Sequence, residues 1–168
     1  RKDEVAMDER PLHVQFLTQN YPSPQFPERG AFVERLVRQW EERGHQMFVV
    51  APDTWATACR AGKREMHAIQ PAGEQIERSH YISVGNRSAG FINRFRITRR
   101  NFVRAAMRGA SHFEIPDLYY GKFLFRGGEA ALRLGRRNQR PSFADLVESW
   151  SLLHLERRSR HDAQSILQ

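Results

Sequence analysis

Cysteine is nearly absent: Cys59 is the single thiol in 168 residues. One thiol excludes an intramolecular disulfide and any zinc site built from several cysteines of one chain, and it fits a reducing, cytoplasmic setting. No apolar run approaches the roughly 20 residues that span a bilayer. The charged opening Arg1 to Arg10 has no apolar segment of signal-peptide type behind it. The expectation is a soluble protein, or one peripheral at the inner face of a membrane. Acidic residues are also in deficit: 19 Asp and Glu face 27 Lys and Arg, a formal net charge of +8. That surplus favours anionic partners, whether phosphorylated small molecules, acidic membranes or nucleic acid, without choosing among them.

What is present suits a folded domain. Hydrophobic residues make up 40% and charged residues 27%, an ordinary globular balance. The length suits one core. Residues 1–10 read as a disordered leader and 11–168 as one domain.

His13 to Thr18 is short, largely apolar and followed by the turn-rich Asn20-Tyr21-Pro22-Ser23-Pro24, which predicts a buried strand. Phe32, Val33, Leu36, Val37 and Trp40 then recur at helical spacing with charges between them, and Gly44 stands where a left-handed cap belongs. Gln46 to Ala51, ended by Pro52, is a second strand. This series is the βαβ unit of a parallel sheet. Asp53 to Arg78 shows no sustained period and reads as an excursion with room for a short helix. Further on, His80–Val84 predicts a third strand, Ile97–Met107 a helix and Ile115–Leu124 a strand running into a loop. Gly127-Gly128 opens a helix that runs through Leu134 and stops near Gly135 to Pro141. Ser142–Val147 is a fifth strand and Ser149–Leu167 a final helix. Alternating elements with short links predict an α/β, Rossmann-like, doubly wound parallel sheet.

Several blocks are more specific: Phe16-Leu17-Thr18-Gln19-Asn20-Tyr21-Pro22, Glu28-Arg29-Gly30-Ala31-Phe32-Val33, Arg43-Gly44-His45-Gln46 and Val49-Val50-Ala51-Pro52. Others follow at Ile115 to Leu124, Gly128-Glu129-Ala130-Ala131 and Glu148-Ser149. Together they resemble the N-terminal domain of family 4 of the glycosyltransferases, enzymes of two-Rossmann GT-B architecture. Within that family the Tyr-Gly-x-Phe-Leu block is most similar to enzymes of the teichuronic acid or capsular polysaccharide type. The resemblance implies a retaining transfer of a sugar from a nucleoside diphosphate sugar to a saccharide or lipid-linked acceptor. No cofactor beyond that donor is implied. The family holds nucleotide and sugar in a C-terminal Rossmann domain with paired glutamates, which is not within these residues. Alone, the chain is therefore expected to be inactive and to need that domain or a separate subunit.

The resemblance also assigns residues. Gly30 and Ala31, opening the first helix, are placed for the donor diphosphate, since backbone NH groups at a helix start carry partial positive charge. An ordinary turn glycine is the competing reading of Gly30, and Arg29 stands where the family often has a second glycine. Tyr120, Lys122, Glu148 and Ser149 fall on the acceptor side, at the carboxyl ends of strands. Lys122 replaces a frequent histidine, and Val147 a common glycine. A lysine can neutralise a phosphate or hydrogen-bond a sugar hydroxyl but lacks an imidazole's proton chemistry near neutral pH. The bland alternative makes Tyr120 and Phe123 core residues and Lys122 a solvated charge.

From Arg87 to Arg108 there are seven arginines and no acidic residue, interleaved with Phe91, Phe95 and Phe102. Three readings compete for this segment: contact of Arg94, Arg96, Arg99 and Arg100 with an anionic membrane surface, nucleic-acid binding, or a solvated helix face with its phenylalanines inward. The solvated face ranks first, and membrane contact above nucleic acid because lipid-linked acceptors are common in the resembled family. His154 and His161 are seven apart, unlike the i, i+4 zinc pair, so no metal site is expected. A non-catalytic basic Rossmann-like module, binding an anionic partner or a separate subunit, is the alternative to the enzyme.

Overall fold

Val14, Gln15, Phe16 and Leu17 are each at most 1% exposed although alternate residues point to opposite faces of a strand. A strand buried on both faces belongs at the centre of a sheet covered by helices on both sides. The computed structural model describes residues 10–23, 26–61, 75–84 and 91–145, and at 60–61 and 91–94 the backbone only. In chain order the elements are β1 (His13–Leu17), α1 (Ala31–Glu42), β2 (Gln46–Val50), β3 (Asp53–Thr54), α2 (Trp55–Ala61), β4 (Gln75–Glu77) and β5 (His80–Tyr81). They continue with α3 (Phe91–Ala110), β6 (Leu118–Lys122), α4 (Glu129–Asn138) and β7 (Ser142–Asp145).

Five strands form one parallel sheet in the order β4-β2-β1-β6-β7. Helix α1 packs Val33 and Val37 on the face that carries Val14, Phe16, Met47 and Val49. The other face carries Leu17, Val50 and Tyr119 against Phe102, Val103 and Ala106 of α3 and Ala130, Ala131 and Leu134 of α4. The fold is thus the expected Rossmann-like α/β sandwich. Burying a side chain such as Phe16 contributes about 2–3 kcal/mol. The alanines on α3 and α4 let helix backbones approach the sheet closely.

Local signals explain the element ends. Gly44 has φ +88, and its NH donates to the Glu41 carbonyl at 2.8 Å while His45 NH donates to Trp40 at 3.1 Å. This pair of bonds is a Schellman cap on α1. His45 does more than turn the chain, because its Nδ1 accepts the Leu12 NH at 3.2 Å.

Three expectations need correction. The third strand of the main sheet is β4, inside the stretch read as an excursion; His80–Tyr81 instead pairs with Asp53–Thr54 in a separate two-stranded parallel sheet. Gln75-Ile76-Glu77 has one apolar residue, too little for a periodic signal at a sheet edge. Helix α3 spans twenty residues, Phe91–Ala110, well beyond Ile97–Met107. Helix α4 ends at Asn138, within the expected stretch Gly135 to Pro141, and Gly135 inside it is a packing residue: a Cβ there would lie 2.5 Å from Ser142 Oγ on β7. Strand β6 is confined to Leu118–Lys122. The short helix anticipated within the excursion is α2. Ser149–Leu167 and the last two residues of the expected fifth strand lie outside the described residues.

Candidate functional site at the carboxyl edge of the sheet

From β1 the chain winds first towards β2 and β4, then returns to lay β6 on the other side of β1. The loops leaving β1 and β6 therefore diverge and open a crevice at the carboxyl ends, where doubly wound sheets bind ligands. The residues around this switch point come from the loops after β1, β2, β4 and β6 and from the end of β7.

Gly30 precedes α1 in the left-handed conformation, φ 74 and ψ 26. A Cβ on it would stand 2.4 Å from the Asn20 carbonyl oxygen. Backbone sterics alone thus demand glycine, because the start of α1 is pressed onto the loop leaving β1. The Gly30 carbonyl accepts Val33 NH at 2.8 Å and Glu34 NH at 3.2 Å, while Ala31 NH meets the Glu28 carbonyl at 3.5 Å.

Arg29 lies between these loops. Its Nη1 donates to Asp53 Oδ1 at 3.0 Å, Nη2 to the Gln19 carbonyl at 2.8 Å and Nε to Asn20 Oδ1 at 3.4 Å. Asp53 also pairs with Arg78 at 3.5 Å, and Arg78 donates to the Pro22 carbonyl. Burial pulls the Arg78 pKa down, and Asp53 works against that shift. On the far side of the crevice Arg126 Nη1 donates to Gln19 Oε1 at 2.7 Å. Two guanidinium groups thus share the Asp53 carboxylate and a third is held by Gln19, a local surplus of positive charge at the switch point.

A second constellation stands at the ends of β6 and β7. Lys122 is 7% exposed. It pairs with Asp145, whose Oδ2 also accepts the Tyr120 hydroxyl at 3.0 Å. A solvated surface lysine is excluded by that burial. Tyr120 stacks on Phe16 at 5.0 Å between centroids and meets Trp40 edge-on at 5.4 Å, so its ring is structural while its hydroxyl faces the pair. Phe123 is buried, as its core reading expects, and Phe32 lies over Lys122 at 5.8 Å while 53% exposed.

No protein-family model matches this chain, and no curated protein does. The chemistry of the edge is therefore that of its own residues.

Of the residues marked in the sequence, Gly30 and Ala31 lie at the crevice, and Tyr120 and Lys122 are brought together through Asp145. Glu148 and Ser149 lie outside the described residues, as does the side chain of Arg94. Arg96 and Arg100 are exposed on α3, but Arg99 turns inward and pairs with the buried Glu129 at 3.1 Å. Phe102 of the same helix is fully buried, and Phe95 packs edge-on against Phe125 at 5.8 Å. Among the described residues no three His, Cys, Asp or Glu side chains gather as a metal requires, and no helix is long and apolar enough to cross a membrane. Sequence reasoning missed Gln19, Asp53, Arg78, Arg126 and Asp145. Position was the available signal for two of them: Asp53 follows the apolar run Met47 to Pro52, and Arg126 precedes a glycine pair opening a helix.

Proposed function

We propose that this chain forms the N-terminal, acceptor-side half of a retaining glycosyltransferase of GT-B type, which moves a sugar from a nucleoside diphosphate sugar to a saccharide or lipid-linked hydroxyl. The observation that carries this reading is Gly30. Its left-handed backbone sets the start of α1 into the switch-point crevice of a Rossmann-like sheet, beside Arg29. A helix start and guanidinium groups at such a crevice favour a diphosphate leaving group, which must be held while its bond to the sugar breaks. On the acceptor side, the Lys122–Asp145–Tyr120 set offers a positioned ammonium and carboxylate, with the exposed ring of Phe32 as an apolar rim for a sugar face.

A second Rossmann domain would supply the nucleotide and sugar contacts, so the chain alone should turn over negligibly. The test is sugar transfer and nucleotide-sugar thermal stabilisation by the protein from its complete reading frame, alongside the 168-residue chain. Stabilisation and transfer by the complete protein, absent from the isolated chain, support the reading. Equal turnover by the isolated chain sinks the division of labour. Anion binding without any response to nucleotide sugars favours instead a non-catalytic basic module.

A further inference from the structure

The loop joining β6 to α4 holds two of the three non-glycine residues with positive φ among the described residues, Phe123 at φ 67 and Arg126 at φ 72. The third, Gln139, is an ordinary left-handed helix cap with ψ 45. Arg126 differs, since its ψ of −84 falls outside the left-handed helical region. Glycine would adopt this conformation without strain, and glycines occupy the next two positions. Those two are needed for space: a Cβ on Gly127 would lie 2.5 Å from the Lys122 carbonyl oxygen, and one on Gly128 2.9 Å from the Phe123 carbonyl oxygen. An arginine held in a strained backbone, beside glycines that the fold does require, points to its side chain as the reason for it.

That side chain reaches across the switch point to β1. Gln19 receives Arg126 on its side-chain oxygen at 2.7 Å and Arg29 on its main-chain oxygen at 2.8 Å, so both guanidinium groups converge on one residue. Arg29 and Arg78 share Asp53, whereas Arg126 meets no carboxylate among the described residues. Tyr81 lies within the field of both Arg126 and Arg29; burial nevertheless raises its hydroxyl pKa. The planar fork of a guanidinium matches two oxygens of a phosphoryl group, and charge-assisted bonds of that kind outcompete one to a neutral amide oxygen. The Gln19 amide can also rotate to present its NH2 to an incoming anion.

We infer that Arg126 and Arg29 clamp a phosphoryl group of a diphosphate at the switch point, the anion displacing Gln19 Oε1 from Arg126. This deepens the proposed function and rests on it only for what the diphosphate is attached to.

The experiment is calorimetric titration of the 168-residue chain with inorganic pyrophosphate, together with R126G and, as a charge-matched control, R136Q on the exposed end of α4. The wild type and R136Q should bind alike. R126G should bind at least about tenfold more weakly and melt at a higher temperature, because strain is relieved while a ligand contact is lost. Binding by R126G within twofold of wild type, a lowered melting temperature for it, an equal loss in R136Q, or no binding by the wild type each overturns the clamp. Competition by uridine diphosphate or by geranyl diphosphate separates a nucleotide source from a lipid one. Pyrophosphate binding without nucleotide-sugar response in the complete protein keeps the clamp and removes the transfer reaction.

Discussion

Lys122 on β6 and Asp145 on β7 are direct partners in the sheet register, and the ammonium of one bonds the carboxylate of the other at the ligand-facing edge. With side chains 9% and 13% exposed, the two charges stabilise each other largely out of water, so removing one weakens the compensation of the other's buried charge. Lys122→Met and Asp145→Asn are each expected to cost about 2–4 kcal/mol, with a coupling of about 1–3 kcal/mol in the double-mutant cycle. Urea unfolding of the four proteins measures this. Additive losses would mean that the pair contributes nothing as a pair.

Tyr120 ties the same carboxylate to the pH dependence of the fold. Burial, then the hydrogen bond to Asp145 and the charge of that carboxylate, push its hydroxyl up to about 12. The unfolded chain titrates near 10, so between about 10 and 12 the folded protein keeps a proton that the unfolded chain has lost. Stability should therefore be intact below pH 10 and fall as pH rises through this window. Tyr120→Phe should flatten that part of the curve and remove one phenolate step above pH 10 from the ultraviolet titration. A Tyr120 hydroxyl titrating near 10 in the folded protein would contradict the assignment.

How far the sequence carries this fold depends on the kind of signal each element leaves. Strands β1 and β2 are legible because burial on both faces writes a short, largely apolar run, and α1 because Phe32 to Trp40 keep helical spacing up to Gly44. Strand β4 is not, since Gln75 and Glu77 lie at a sheet edge where hydrogen bonding to β2 replaces apolar pattern. The end of α4 is legible only as the stretch Gly135 to Pro141, because Gly135 itself lies inside the helix, where close packing against Ser142 requires its missing side chain. Lys122 and Tyr120 are legible as a position, but their partner Asp145 is not, because the pairing of β6 with β7 joins residues 23 and 25 apart. The three arginines at the switch point come from three separate loops, a convergence that only the topology creates.

Gly30 and Gly44 separate two costs of replacing glycine. Both have positive φ, +74 and +88, but a Cβ on Gly44 would meet nothing within 4 Å, whereas one on Gly30 would strike the Asn20 carbonyl. Gly44→Ala should cost about 1 kcal/mol, the left-handed penalty alone. Gly30→Ala should cost about 3 kcal/mol or more, because the start of α1 must shift as well. Equal midpoint changes in urea would show that the contact with Asn20 gives way freely.

Arg99 and Arg100 are neighbours on α3 with opposite surroundings. The carboxylate of Glu129, 5% exposed, lies between Arg99 at 3.1 Å and the mostly exposed Arg133 at 2.8 Å. Arg99→Gln leaves that buried charge to Arg133 and should cost about 1–3 kcal/mol, whereas Arg100→Gln should stay within about 0.5 kcal/mol. Sedimentation with anionic vesicles gives the complementary readout. If α3 meets a membrane, Arg96→Gln and Arg100→Gln should weaken binding, and raised salt should abolish it. Folded Arg99→Gln protein should bind nearly as well as wild type, because an arginine engaged with a buried glutamate has little to give a lipid phosphate. A vesicle defect confined to Arg99→Gln, with unchanged stability, would mean that the Glu129 pair yields to the membrane.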